Sequence, residues 1–312
     1  MLWYFDACAL DIYQPNANRE VCDKMINSWK IDGKMLIFGG PYSNYAATVA
    51  MQKRAVELGI PAERIICTGD TIAYCGEPCE TLDLIRDWGI HVVMGNCEES
   101  LANGEADCGC GFEPDSECSL LAVTWYEYSN RRVTAAQRRW MSELPRSLDF
   151  VMSSIDFTVV HASLNSINEF VFASSEPEAR LAQIRNADVD VVIGGHSGIP
   201  FGQQLAERYW LNAGVIGMPA NDGGTQGWYL LLEPGESGVN ASWHQLDYDY
   251  SSSRESTIAA GMGAYGNALA DGLWPSIDIL PAAEAQQTGK PLNLEPLLIE
   301  ATCHPRRVNS VR

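Results

Sequence analysis

Short apolar runs rich in β-branched residues, separated by helix-length segments, constrain this chain more than any other feature. They are Met35 to Phe38, Ile65-Ile66-Cys67, Val92-Val93-Met94, Phe157-Thr158-Val159-Val160 and Val191-Val192-Ile193. Such runs read as strands buried on both faces, which calls for an α/β sheet with helices packed against it. All but the first are followed closely by a side chain able to ligate a metal: Asp70, Asn96, His161 and His196. The first ends in Gly39-Gly40 instead. Ligands in such sheets gather at the carboxyl ends of strands, so a single site made from those four residues is the leading expectation.

A chain of 312 residues that is 46% hydrophobic and 20% charged can bury a sizeable core. Its 21 Lys+Arg against 40 Asp+Glu leave a formal charge of −19, a field that repels nucleic acid and anionic membrane. Nucleic acid and membrane are therefore not expected partners, while a small anion held by a metal remains possible. No apolar stretch approaches the roughly 20 residues of a membrane helix, and Met1 to Tyr13 lacks a basic n-region, so a cytoplasmic protein is expected. The 10 cysteines are scattered, several inside expected strands and helices, and most read as reduced thiols.

Residues 1–33 form an amino-terminal arm, aromatic and polar without periodicity. The core spans residues 34–250. After the first strand, helices are expected from about Asn44 to Leu58, closed by Gly59, and from Glu77 to Trp88, closed by Gly89. With strands at Ile65 and His91 these make two right-handed β-α-β units. Glu98 to Asp115 is rich in Gly, Cys and acid and is expected as an irregular excursion. Helices follow at Ser116 to Asn130 and Thr134 to Leu144. Strands then follow at Leu148–Met152, Ile155–His161, Val189–Gly194, Arg208–Leu211, Gly227–Leu232 and Ala241–Leu246. Residues 251–312 form a carboxyl-terminal extension with one helix, Ile258 to Leu273, and a Pro-rich stretch. The extension is expected to pack on the core or on a second copy in a homo-oligomer.

In order along the chain, Gly69-Asp70, Gly95-Asn96-Cys97-Glu98, His161 after Val159-Val160, and Gly195-His196-Ser197-Gly198 resemble the signature of calcineurin-like metallophosphoesterases. That signature reads D-x-H, G-D, G-N-[HC]-[DE], H and G-H-x-H, and the resemblance covers residues 34–233. Asn212 to Pro219 also resembles the glycine-rich strand and turn of the family's small bacterial phosphodiesterase branch. The resemblance implies a two-sheet αββα sandwich with mixed parallel and antiparallel sheets. It also implies two divalent metals that share Asp70 and activate a hydroxide for attack on phosphorus. Asn96, His161 and His196 would complete the second metal's shell, with donors suited to Mn, Fe or Zn.

The chain departs from that pattern at the first metal. Gly40 stands at the Asp of D-x-H, Tyr42 at its His, and Gly198 at the last His of G-H-x-H. Asp70 alone cannot hold an ion against water, so one divalent metal is expected. Cys97 takes the place of a His that assists the leaving group; some bacterial phosphodiesterases it resembles carry Cys there. A thiol so placed could protonate an alkoxide poorly or simply pack.

The turn Gly39-Gly40-Pro41-Tyr42-Ser43-Asn44 reads either as an ordinary helix entry capped by Ser43 or Asn44, or as an anion cradle. In the cradle, free backbone N–H groups of Gly39, Gly40, Ser43 and Asn44, with the Tyr42 hydroxyl as a further donor, would replace the lost metal. Glu98 and Asp6 are candidates to reach the space beside Gly40. Cys108, Cys110 and Cys118 match a zinc site poorly and read as loop cysteines, free or disulfide-linked. Trp3-Tyr4-Phe5, Trp210 and Trp228 either line a pocket or, more commonly for such residues, pack the core. His91 and His244 read as structural. Two functions fit: a divergent phosphoesterase acting on a small phosphomonoester or phosphodiester, or a silent relative that binds a phosphorylated ligand or a protein.

Overall fold

In the computed structural model, which describes residues 29–301, two sheets of six strands face each other. One has the order β1 (Trp29–Lys30), β5 (Ser147–Met152), β6 (Ile155–Val160), β7 (Val191–Gly194), β9 (Arg208–Asn212) and β8 (Phe201–Leu205). The other has the order β12 (Leu297–Glu300), β11 (Gly238–Leu246), β10 (Gly227–Gly235), β2 (Met35–Phe38), β3 (Ile65–Cys67) and β4 (His91–Val92). β2, β3 and β4 run parallel, as do β6, β7 and β9, while β10, β11 and β12 pair antiparallel.

Side-chain alternation places each central strand between two apolar layers. Met35 and Ile37 point into the space between the sheets, against Phe157, Val159, Val191 and Ile193. Leu36 and Phe38 point outward under α1 (Tyr45–Glu57) and α2 (Pro78–Trp88), meeting Met51, Ala55 and Ile85. Val192 and Trp210 of the opposite sheet pack outward against Leu181 and Ile184 of α6 (Pro177–Ala187). Each such side chain contributes roughly 1.5–3 kcal/mol by leaving water. Because both faces of β2 are apolar, a slip of one residue would cost little by pattern alone. The chain's turns therefore set its register.

Glycine at the strand ends lets the two sheets close on each other. A Cβ on Gly39 would stand 2.6 Å from Thr68 Oγ1 and 2.8 Å from the Gly214 carbonyl, and one on Gly195 would stand 2.0 Å from the same Thr68 oxygen. Gly39 also bridges Val215 in parallel, joining the chain after β9 to the end of β2.

Several expectations need correction. Glu98 to Asp115 is not wholly irregular: α3 (Asn96–Asn103) opens directly at Gly95, and the irregular part begins at Gly104. α4 (Glu117–Asn130) and α5 (Ala135–Ser142) follow where helices were expected. The extension carries more than one helix. α7 (Ser251–Ala259) and α8 (Gly263–Asp271) are separated at Gly261, whose φ of 88° is left-handed, and a short α9 (Ala282–Ala285) follows. The Pro-rich stretch returns as β12 to the sheet edge, and Trp29–Lys30 of the expected arm pair with β5. Trp210 and Trp228 are buried in the core, whereas Trp3-Tyr4-Phe5 and Asp6 lie outside the described residues. Among the described residues no helix is long and apolar enough to cross a membrane.

Candidate metal centre

Four strand exits converge at one edge of the sandwich. After β3, Asp70 adopts a left-handed φ of 54°, a conformation a side-chain-bearing residue holds only when its surroundings impose it. Glu98 of α3 imposes it. Its carboxylate, fully buried, accepts from Asp70 N (2.8 Å), Thr71 N (2.7 Å), Thr71 Oγ1 (2.6 Å) and Gly95 N (3.0 Å). The same residue thus ties the loop after β3 to the start of α3.

Asn96 is the first residue of α3, and its Nδ2 donates to the Cys108 carbonyl at 2.9 Å, which leaves Oδ1 facing the site. His161 directly follows β6, and its Nδ1 donates to the Thr68 carbonyl at 2.7 Å. A carbonyl can only accept, so Nδ1 carries the proton and Nε2 of the neutral ring presents a lone pair. His196 follows Gly194-Gly195 after β7, held by its N–H to the His161 carbonyl and by stacking on Phe170 at 4.5 Å.

His161 Nε2 therefore stands 3.0 Å from Asn96 Oδ1, 3.0 Å from His196 Nδ1 and 3.3 Å from Asp70 Oδ2. His196 Nδ1 is 3.8 Å from the same Asp70 oxygen. Donors at about 2.1 Å from a tetrahedral ion would be about 3.4 Å apart, so these spacings fit a shell around one small cation. Asp70, His161 and His196 each bring a ligand atom within 4.8 Å of the others, all buried. Electron pairs facing one another in a dry pocket need positive charge among them, either a proton or a metal. The donor set fits a divalent ion of the Mn, Fe or Zn kind.

The titration behaviour of the group has the same origin. Burial opposes charge on Asp70, but His161 and His196 outweigh it and hold the carboxyl far below its usual range. Burial likewise opposes protonation of His161, yet the Asp70 carboxylate raises it above 6.5. For His196, burial and the neighbouring His161 win and protonation becomes harder. Burial, with the charges of Asp70 and Glu98, pushes the Cys97 thiol well up. Cys97 is fully buried as part of an apolar cluster with Ile72, Leu101 and Trp125, and its backbone N–H donates to Asp70 Oδ1 at 3.3 Å. A thiol held so firmly protonated has little acidity to offer a leaving group.

The structure does not provide the anion cradle expected at Gly39 to Asn44. Every N–H in question is already donated: Gly39 to Gly214 O, Gly40 to Gly69 O, Tyr42 to Asp70 O, Ser43 to Thr71 O and Asn44 to Pro41 O. The Tyr42 ring lies where a side chain at Gly40 would project, with a Cβ there only 2.5 Å from the ring. Asn44 caps α1, its Oδ1 accepting from Ala47 N. Glu98 is committed to its clamp rather than to the space beside Gly40. What the sequence did not reveal is the role of Thr68, because its carbonyl orients His161 and a backbone contact leaves no mark on residue type.

Cys108 and Cys110 are disulfide-bonded beside Asn96, and Cys118 is a free thiol, so the three do not form a zinc cluster. His91 packs on Trp29, and His244 stacks on Tyr229 and hydrogen-bonds Ser242, both structural.

Comparison with known proteins bears on the fold and the family. The chain is 22% identical over 234 residues to an uncharacterized protein of Methanocaldococcus jannaschii, covering 70% of this chain and 88% of that one. A metallophosphoesterase from Sphaerobacter thermophilus has a similar structure, with a TM-score of 0.61 at 20% identity over 78% of this chain and 100% of the other. A hypothetical protein from Pyrococcus horikoshii OT3 has a TM-score of 0.62 at 12% identity over 78% and 98% of the respective chains. At such identities these likenesses establish the fold alone. The pattern of the calcineurin-like phosphoesterase superfamily domain matches residues 46–236, more than half of the chain, beginning just past the turn that lacks the Asp and His. With the sandwich, the strand-end ligands and that match in agreement, the chain belongs to the calcineurin-like phosphoesterase superfamily.

Proposed function

We propose that the chain is a divergent phosphoesterase that hydrolyses a small phosphomonoester or phosphodiester with a single divalent ion held by Asp70, Asn96, His161 and His196. The observation that carries this reading is the His161 ring: its Nδ1 is committed to Thr68 O while its Nε2 faces Asn96 Oδ1, Asp70 Oδ2 and His196 Nδ1 at once. An Mn, Fe or Zn ion bound there would supply Lewis-acid charge to a phosphoryl oxygen. The protein's own groups hold the donors in place. Glu98 keeps Asp70 in its left-handed turn, Thr68 keeps the His161 tautomer, and the Cys108 carbonyl keeps Asn96 Oδ1 turned inward. Burial of the four donors limits the water that competes with them, so that the water consumed in hydrolysis would reach the ion from the cavity side that His196 lines.

A second reading is favoured by one feature. Tyr42 fills the space beside Gly40, and Trp274 lies 3.2 Å from where a Cβ of Gly198 would be. With the first-metal side occupied by rings, a relative that only binds a phosphorylated ligand or a protein partner also fits. Turnover decides between them. Purified protein is assayed with added Mn²⁺ on bis(p-nitrophenyl) phosphate and p-nitrophenyl phosphate beside His161→Ala. Hydrolysis that falls at least a hundredfold in the variant supports the enzyme. Absence of turnover in the wild type supports the binding role.

A further inference from the structure

Beside the metal-ligand cluster lies a cavity whose wall the cluster shares through His196. Tyr42, Tyr74, Phe170, Met218, Tyr265 and Trp274 are among the other residues that line it. The rings form two banks. Tyr74 stacks on Tyr265 at 4.8 Å and meets Tyr42 edge-on at 4.7 Å. In a second group, Phe170 stacks on Phe112 at 6.0 Å and on His196 at 4.5 Å. No Asp, Glu, Lys or Arg lines the cavity, although the chain as a whole carries a formal charge of −19. The two serines in its wall are already engaged: Ser197 Oγ donates to Val171 O and accepts from Asn212, and Ser276 Oγ accepts from Asp278 N.

This wall exists because of the lost first-metal ligands. Tyr42 and Gly198 stand where the family's pattern has histidines, and Trp274, from the loop after α8, covers Gly198 while its Nε1 donates to the Pro219 carbonyl at 2.7 Å. A polar alcohol group entering here would find the hydroxyls of Tyr42, Tyr74 and Tyr265, the Cys118 thiol and the unpartnered Nε2 of His196 to pair with, but no charged side chain. An apolar one would gain both burial and ring contacts. The space is about 60 Å³. That is under half of the roughly 150 Å³ in which benzene sits fully enclosed, so a single ring fits only with part of it at the open mouth.

We infer that this aromatic cavity binds the apolar alcohol portion, one ring or a short alkyl chain, of a phosphate ester whose phosphate lies at the metal-ligand cluster. The inference rests on the phosphoesterase reading above and adds the class of substrate.

The test is calorimetric titration of the full-length, Mn²⁺-loaded protein with phenylphosphonate and methylphosphonate, which share a head group and differ in the apolar part. Phenylphosphonate should bind at least tenfold more tightly. Trp274→Ala, which removes part of the wall, and Leu121→Trp, which adds bulk to another lining residue, should each reduce that preference below threefold. Equal affinities, or a preference that both variants leave intact, would overturn the inference. If neither phosphonate binds, the phosphate site itself is wrong, and p-nitrophenol alone then judges the cavity. Binding abolished by Leu121→Trp upholds an apolar site, and no binding overturns it.

Discussion

His161 shows in one ring why the cluster needs a cation. Without a metal, a second proton on Nε2 supplies the positive charge that Asp70 demands, which is why its protonation is favoured above the ordinary 6.5 despite complete burial. The sign of the stability effect follows. A folded-state value above the unfolded one stabilises fully below the unfolded value and loses that contribution as pH rises through the folded one. Metal-free His161→Gln should therefore be destabilised more at about pH 5.5 than at about pH 9. Urea titration in chelator at both pH values checks this, and an equal penalty at both contradicts it. The residue types Asp70, Asn96, His161 and His196 were legible because strand-end position and ligand chemistry are both written in the sequence. The closed turn at Gly39 to Asn44 was not. Where a backbone N–H points is decided by the loops it meets, here Gly69 to Thr71 and Gly214.

At the scale of elements, Glu98 joins the loop after β3 to the start of α3, so it acts on two pieces of structure at once. Glu98→Ala should lower unfolding stability by roughly 3 kcal/mol, since it strands buried N–H donors, and should weaken metal binding by releasing Asp70 from its strained turn. Denaturation and metal titration on the same sample measure the two effects, and unchanged values for both would remove the clamp from the account. The β2 exit makes the complementary prediction. Gly40 has a φ of 42° and the Tyr42 ring against it, so Gly40→Asp should cost roughly 2 kcal/mol or more and should not add a metal. A gain of one bound ion in that variant would show that the first site is merely short of a ligand. Elements were readable where both faces of a strand are apolar, as in β2 and β7. They were missed where the buried face includes polar residues. α6 buries Arg180 and Gln183 beside Leu181 and Ile184, and the edge strand β8 buries only its end residues Phe201 and Leu205. α3 was hidden by its Asn, Glu and Ser content, with the capping interaction of Glu98 and Gly95 its main signal.

Across the whole molecule, rings occupy the space beside Gly40 and Gly198, while Asp70, Asn96, His161 and His196 stay clustered. Tyr42 and Trp274 come from opposite ends of the described chain and meet the positions of the missing ligands, which also explains why the extension returns to the core rather than standing apart. The proposed function assigns one ion to that cluster. Metal stoichiometry therefore tests the account most directly. Protein loaded with excess Mn²⁺ or Zn²⁺, freed of unbound metal and analysed by plasma mass spectrometry, should retain one ion per chain, and His161→Ala should retain none. Two ions per chain in the wild type, or one ion that survives in His161→Ala, would contradict it.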